Sequence, residues 1–269
     1  MAIVALHAGS TGLSALNTQL DVIANNLANV NTAGFKGSRV NFEDLLYQER
    51  ALPGVENANG DERPTGLYVG LGVKVSGTQL NFTEGSALET GQPLDMMIDG
   101  KGFFQVVVES DRGEGGIAYT RAGNFALNSD GEIVLANSNG RRLEPNITVP
   151  QNTVGIEVAQ DGTVFALPPG DSDPVSVGQI ELATFVNPAG LKQIGENLYV
   201  ETAASGPPST IEPATGDAGR ILGGFLEGSN VDPTRELIDL IRTQRAFEMN
   251  SQSIRTADEV LQQVSQLRR

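Results

Sequence analysis

The sequence contains no cysteine and no tryptophan, and its 269 residues include a single histidine, His7. The missing cysteines exclude a disulfide framework and any metal site built on thiolates. No apolar run approaches the roughly 20 residues that a membrane-spanning helix needs. No Lys or Arg precedes Lys36, so the apolar start lacks the cationic leader of a secretory signal peptide. We therefore expect any export to leave the chain uncleaved.

Positive charge is also scarce, with 18 Lys and Arg against 33 Asp and Glu and a formal net charge of −15. This balance argues against a nucleic-acid-binding surface. Residues 36–231 hold the excess, with 26 acidic and 12 basic side chains. Residues 1–35 carry one charge, Asp21, and residues 232–269 carry six of each sign. The pattern predicts ends that pack against protein and a middle that meets water.

The N-terminal segment has a seven-residue leucine spacing and no proline. The column consists of Leu6, Leu13, Leu20 and Leu27. Such spacing predicts a helix with one apolar seam, here over residues 2–30, and Gly34 is a suitable left-handed residue to end it. The asparagines at its end are mediocre helix formers, which indicates that something other than solvent faces them.

The C-terminal segment mirrors this pattern. Asp232 is a suitable N-cap and Pro233 a suitable first helical residue, and neither Gly nor Pro follows. A second seven-residue column is formed by Leu240, Phe247, Ile254 and Leu261, flanked by Leu237, Ile241, Ala257 and Val264. Two amphipathic helices on an ordinary core would explain both ends. The nearly uncharged first helix favours instead a terminal coiled coil within an assembly.

Between the helices the apolar pattern changes to the period of two that is typical of strands. Short β-rich runs occupy residues 94–108, 118–136, 155–167 and 178–186. Asp99-Gly100, Asp130-Gly131 and Asp161-Gly162 are turn signals, and the last two are of the hairpin type. The fold class predicted is α+β, with an all-β middle domain between long terminal helices. Residues 47–64 are expected to form an exposed loop or extended arm, and residues 203–219 a second loop.

No catalytic constellation stands out. The oxygen-rich stretches 128–132 and 171–173 do not match a calcium-binding loop, and hairpin turns explain them more simply. The glycines of residues 70–77 lack the helix and spacing of a dinucleotide site. His7 has no partner acid or serine, which favours a packing role. We predict no enzymatic activity, no catalytic residues, no cofactor and no metal.

Several segments resemble the family of flagellar rod and hook axial proteins. They are "LDVIANNLANVNTAGFKGSR" at 20–39, "DGKGFFQV" at 99–106, "YTRAGNFALNSDGEIV" at 119–134 and "SNVDPTRELIDLIRTQRAFEMNSQSI" at 229–254. "IGENLYVET" at 194–202 is similar to the distal rod branch in particular. The resemblance covers essentially the whole chain in the family's order. It departs at Pro233 and Thr234, where acidic or aliphatic residues are common.

The resemblance implies a tube-forming architecture. Residues 1–35 with 229–269 would form a helical inner-tube domain, and residues 76–214 a β-rich outer domain. Residues 36–75 with 215–228 would form a connecting segment and extended arm. Assembly contacts are expected at the leucine column and at Asn25, Asn26 and Asn29, and at Leu240, Phe247, Ile254 and Leu261 in the second helix. Arm contacts are expected at Tyr47, Glu49, Arg50, Leu52, Glu62 and Arg63.

The resemblance also implies a function, a location and partners. The chain would be a subunit of a hollow, stiff drive shaft in the flagellar basal body, crossing the periplasm and exported by the flagellar type III apparatus. Its partners would be further copies, proximal rod proteins, the hook protein and the ring proteins of the periplasm and outer membrane, with no nucleic acid and no direct membrane insertion. Proximal rod and hook subunits are the alternatives within the family. A secreted β-domain enzyme or adhesin is the alternative outside it.

Overall fold

The computed structural model describes residues 2–54, 62–109, 112–169 and 173–267. The chain divides into two compact units. A helical unit comprises Met1–Ala28, Ser38–Gln79 and Asp232–Arg269, and a β unit comprises Asn29–Gly37 and Leu80–Val231. The predicted α+β class, with helices at both ends and strands between them, is confirmed. The three-part division expected from the sequence stays a prediction.

The helical unit contains two long helices and two small antiparallel sheets. Its elements are α1 (Ala2–Ala28), β1 (Ser38–Asp44), β2 (Tyr47–Ala51), β3 (Leu67–Gly70), β4 (Val73–Leu80) and α2 (Pro233–Leu267). Strand β1 pairs with β4, and β2 pairs with β3. No helix in the described part of the chain is long and apolar enough to cross a membrane.

Helix α2 begins where the sequence predicts. The Asp232 carboxylate accepts hydrogen bonds from the backbone N–H of Thr234 at 2.9 Å and of Arg235 at 3.4 Å. This caps donors that the first helical turn leaves unpaired, and Pro233 at the first position has no N–H to satisfy.

Helix α1 ends earlier than predicted, at Ala28 rather than at Gly34. The backbone N–H of Thr32 bonds the Asn29 carbonyl, and the Thr32 hydroxyl bonds the Asn29 side chain, so a turn replaces the helix. This is the competition with helical hydrogen bonds that makes asparagine a poor helix former. Gly34 does have a positive φ of 69°. A β-carbon there would lie 2.5 Å from the Ala122 backbone nitrogen, so close approach of two backbones requires the glycine.

The described part of the β unit contains sixteen short strands. They are β5 (Ala87–Glu89), β6 (Met96–Asp99), β7 (Phe103–Val107), β8 (Ile117–Thr120), β9 (Phe125–Leu127), β10 (Ile133–Leu135), β11 (Leu143–Glu144), β12 (Gly155–Val158), β13 (Thr163–Leu167), β14 (Val175–Gln179), β15 (Leu182–Thr184), β16 (Lys192–Gly195), β17 (Leu198–Val200), β18 (Ser209–Ile211), β19 (Arg220–Gly223) and β20 (Phe225–Glu227). The largest sheet has the order β16-β17-β8-β7-β15-β18, with β11 also paired to β7. Strands β12, β13 and β14 form a second sheet, and β9–β10, β6–β19 and β5–β20 form pairs.

Two groups of buried side chains form the core of the β unit. The larger one includes Phe104, Ile98 and Leu182, none of which is exposed. The smaller one contains Tyr119 and Tyr199 together with aromatic neighbours in edge-to-face contact. Such packing supplies the hydrophobic free energy that fixes short strands of low individual stability.

The predicted hairpin turns are confirmed. Asp130-Gly131 joins β9 to β10 and Asp161-Gly162 joins β12 to β13, with positive φ at both glycines. The expectation of a plain loop over 203–219 is wrong in part, because β18 lies within it and pairs with β15. Strand β18 is only three residues long, too short to give a readable alternation.

Candidate assembly surfaces

Helices α1 and α2 pack against each other in an antiparallel arrangement. Contacts near Gly9 involve Asn250 and Ile254, whereas Asn26 near the other end of α1 contacts Glu236. The members of both seven-residue columns are half-buried: Leu6, Leu13, Leu20, Leu27, Leu240, Phe247, Ile254 and Leu261. The columns predicted from the sequence thus occupy intermediate positions, neither fully buried nor open. Their role in contacts between subunits stays a prediction.

A glycine notch in α1 receives a polar side chain of α2. The Asn250 amide donates to the Gly9 carbonyl at 3.0 Å. A β-carbon on Gly9 would lie 2.8 Å from Ile254 Cγ1, and one on Gly12 would lie 2.6 Å from Asn250 Nδ2. Neither glycine is singled out by the sequence pattern, because the position of Gly9 relative to Asn250 depends on the helix register, which sequence periodicity does not reveal.

Asn26 corrects one expectation about the asparagines. Its side chain is 4% exposed and bonds within the chain. The amide donates to the Ser38 carbonyl at 2.8 Å and to the Glu236 carboxylate at 3.1 Å, and its oxygen accepts from the Ser38 N–H at 3.0 Å. Asn26 therefore fastens β1 and α2 to α1 instead of facing a neighbouring subunit. Asn25 is exposed and Asn29 is partly buried, and their predicted assembly roles stay predictions.

Helix α2 carries a second apolar face, of which the sequence analysis named only Ile241, as a flank of the Leu240 column. Ile238, Ile241, Met249 and Val260 are between 45% and 66% exposed, and they define the outer stripe of α2. At about 100° per residue, Ile238, Met249 and Val260 lie roughly opposite Leu240, and Ile241 lies between them and the Leu240 column. The signal was available in the sequence, but the spacing of eight and eleven residues between its members hides it behind the stronger seven-residue column.

Residues 47–54 and 62–70 form a β-hairpin whose strands are β2 and β3. The pairing register is Tyr47 with Gly70 and Glu49 with Tyr68, and the Gly54 N–H bonds the Arg63 carbonyl at 2.8 Å. The expectation of a loop is therefore wrong for Tyr47–Ala51, whose charged residues obscure the strand pattern. Residues 55–61, the middle of the predicted arm, lie outside the described residues.

The hairpin is exposed on both faces, and we call its described residues the arm. Tyr47, Glu49, Arg50, Leu52, Glu62 and Arg63 are all exposed. A hydrogen bond to the Asp44 carboxylate raises the pKa of Tyr47. Desolvation and the neighbouring Glu49 carboxylate raise the pKa of Tyr68. Both phenols therefore stay protonated at physiological pH, and each has a carboxylate acceptor within its own chain.

The β unit contains a buried ion cluster that includes Lys36 of the N-terminal motif. Lys36 Nζ lies 2.6 Å from Glu227 Oε1 and donates to the Thr83 carbonyl at 2.7 Å, and neither charged side chain is exposed. The Arg121 guanidinium lies 3.5 Å from the other Glu227 oxygen. Burial lowers the pKa of Lys36, and the adjacent carboxylate opposes that shift. The cluster secures residues 29–37 to β20, a role that charge counting could not reveal.

The described residues contain no group of three or more His, Asp and Glu side chains placed to hold a metal ion. At 128–132 the Asn128 side chain accepts from the N–H of Asp130 and Glu132 and donates to the Glu132 carboxylate at 2.8 Å. Hydrogen bonds from Asn128 and Asn146 lower the pKa of Glu132. The stretch is a closed turn, as the simpler interpretation held. Two residues of 171–173 lie outside the described residues.

Comparison with known proteins decides the family. Three family models match: a flagellar basal-body rod protein model at residues 6–36, a flagellar hook protein FlgE/F/G D1 domain at 97–166, and a flagellar basal-body rod FlgEFG C-terminal model at 222–267. The flagellar basal-body rod protein FlgG of Buchnera aphidicola from Schizaphis graminum is 42% identical over 98% of this chain and all of that protein. The chain belongs to the flagellar basal-body rod protein family.

Within the family, the FlgG relatives are the better match. FlgG of Caulobacter vibrioides is 43% identical over 98% of this chain and 99% of that protein, whereas FlgF of the same organism is 33% identical over 91% and 89%. This rod protein is a structural subunit and not an enzyme, as the sequence predicts. Its place is the flagellar basal body.

Proposed function

We propose that the protein is a subunit of the distal part of the flagellar rod, where it polymerises helically into a hollow, stiff drive shaft. The shaft transmits torque to the hook and lets export substrates pass. The observation that carries this proposal is the pair of opposite apolar faces on α2, one against α1 and one open. Contiguous exposed apolar surface marks interaction sites, and a heterologous contact repeated by every copy builds a helical filament.

In the proposed assembly, α1 and α2 form a coiled-coil inner wall and the outer stripe of α2 packs on the next copy. The β unit lies outside this wall. The long, nearly uncharged back of α1, with its Ser, Thr, Asn and Gln side chains, supplies further contacts in which amides and hydroxyls bond across subunits. The charge distribution supports this arrangement, because the ends are almost neutral and the acidic middle keeps the outer surface solvated.

The arm has a separate role in this proposal: it locks axial neighbours so that the shaft stays straight. An isolated two-stranded hairpin is marginally stable in water, and the arm has both faces exposed. An adjacent subunit that covers one face would stabilise it. Tyr47 and Leu52 would act as apolar anchors, and Glu49, Arg50, Glu62 and Arg63 as polar contacts.

We also propose where the shaft lies and which proteins it contacts. The shaft crosses the periplasm between proximal rod proteins and the hook protein and passes through the ring proteins. Its subunits reach that position through the flagellar type III apparatus without a cleaved signal peptide.

Charged substitutions in the outer stripe test the proposal. Ile241→Asp and Met249→Asp should abolish polymerisation, because a buried unpaired carboxylate opposes the contact strongly. Gln244→Asp, on the same helix but outside the stripe, is the matched control and should still polymerise. Sedimentation and electron microscopy measure assembly, and circular dichroism checks that each monomer is folded. Normal tubes from both stripe variants would overturn the proposal.

A further inference from the structure

The apolar columns of α1 and α2 share one repeat, and this creates an ambiguity in how the two helices align. Both columns recur every seven residues over the same length of helix. If α2 slid along α1 by one repeat, about 10 Å, leucines and Phe247 would again meet apolar partners. The columns alone therefore stabilise several registers to a similar degree.

Two polar contacts break this ambiguity. One is the Asn250 amide on the Gly9 carbonyl, and the other is the Asn26 amide on the Glu236 carboxylate. Along α1 these contacts are 17 residues apart, and along α2 they are 14 residues apart. A slip of one repeat would bring Asn250 to position 16 or 2 and Glu236 to position 33 or 19, so neither contact would be kept.

The glycine notch makes the first contact specific. A backbone carbonyl in a helix is accessible to a neighbouring side chain only where no bulky side chain covers it. A slip in one direction would replace Gly9 and Gly12 by Leu16 and Gln19. A slip in the other direction would replace them by Ala2 and Ala5. Every replacement carries a β-carbon, which at the Gly12 position would lie 2.6 Å from Asn250 Nδ2.

We infer that Asn250 and the notch formed by Gly9 and Gly12 select the register of α1 on α2. A polar residue in an apolar helix seam is known to fix register at some cost in stability. The inference goes beyond the proposed rod function, because it concerns contacts within one protomer wherever both helices are ordered. It has a consequence for assembly, since the register sets where the outer stripe of α2 stands relative to α1.

Spin labels at two new cysteines can measure the register directly, since the natural chain has no cysteine. Asp21 and Gln252 are both exposed and lie at different heights along the helix pair. A slip of one repeat moves these labels by about 10 Å along the axis. Full-length labelled protein is diluted with unlabelled protein, so that only distances within one chain are recorded.

With Asn250 present we expect one distance between the labels. Asn250→Ala should add a second population displaced by up to about 10 Å, and Asn250→Asp, which cannot donate to a carbonyl, should do the same. Gln244→Ala is the matched control and should keep the single distance. If Asn250→Ala loses helix by circular dichroism, Gly12→Ala displaces the amide without removing it and gives the same readout. A single, unshifted distance in all three seam variants would overturn the inference, even if their stability falls.

Discussion

In the β unit, Phe104, Ile98 and Leu182 are wholly shielded from solvent, whereas in the helical unit the apolar columns are half-buried and Ile241 and Met249 are open. The β unit also buries an ion pair between Lys36 and Glu227. The β unit thus contains a fully buried core, although Val154 and Val186 on its surface are exposed. The helical unit buries fewer of its apolar side chains and leaves apolar surface for partners, as expected of a subunit that assembles through its helices.

A charged side chain in the apolar columns of α1 or α2 should prevent assembly. Leu20→Asp or Phe247→Asp should abolish polymerisation entirely, because a half-buried carboxylate cannot be desolvated without a partner. The β unit should stay folded, since its core is separate. Sedimentation measures assembly, and protection of β7 and β8 amides measures folding of the β unit. Loss of that protection in either variant would contradict the independence of the two units.

Lys36→Met tests the β unit and should lower its free energy of unfolding. It leaves the buried Glu227 carboxylate with the Gly85 N–H and the more distant Arg121 as its partners, at a cost of about 3 kcal/mol in the free energy of unfolding. Denaturant titration measures the loss. Lys101→Met is the matched control, because its pair with Asp217 is exposed, at 73% and 75%. We expect no resolvable change there. Equal effects from the two variants would show that burial does not strengthen the Lys36 pair.

The arm should control the stiffness of the assembled tube. Deletion of residues 47–64 should leave secretion and tube formation intact but make the tube compliant and curved, because axial neighbours then slide. Electron microscopy of the tubes gives their curvature and persistence length. Straight, stiff tubes from the deletion variant would contradict this prediction, as would an assembled rod in which this segment makes no contact with a neighbour.

Hydrogen exchange on the monomer should show a difference in amide protection between the helical unit and the β unit without any substitution. Helices with half-covered seams are marginal in water, so amides of α1 should exchange faster than those of the β-unit core strands. Polymerisation should then slow the α1 amides. Strong protection across residues 5–30 in the monomer would mean that assembly is not what orders this helix.

Removal of metal ions should have no effect on the stability of the protein. Chelators should leave the thermal unfolding temperature unchanged, and metal analysis should find no stoichiometric ion, because the side-chain oxygens of Asn128 and Glu132 already accept hydrogen bonds within the turn. A tightly bound calcium at that turn would contradict this prediction.

How much of this could be predicted from the sequence depended on the range of the interactions. Local signals were reliable: the Asp232 cap, the Asp-Gly hairpins and the periodic helices follow from neighbouring residues. The α1 end was misplaced because Gly34 looked like a cap, whereas Asn29 had already turned the chain. The Lys36–Glu227 pair and the contact of Asn250 with Gly9 escaped prediction, since they join residues about 190 and 240 positions apart. Such contacts leave no periodic trace.

The four tyrosines divide evenly between the two kinds of environment: Tyr47 and Tyr68 are exposed on the arm, and Tyr119 and Tyr199 are buried in the β unit. With no tryptophan to mask them, their ultraviolet emission is the intrinsic fluorescence of the protein. Carboxylate contacts of the kind made by Tyr47 and Tyr68 quench phenol emission. Covering of the arm by a neighbour would therefore change the emission of Tyr47 and Tyr68. Denaturation of the β unit would change the emission of Tyr119 and Tyr199. The unlabelled chain carries its own optical reporters of assembly and unfolding.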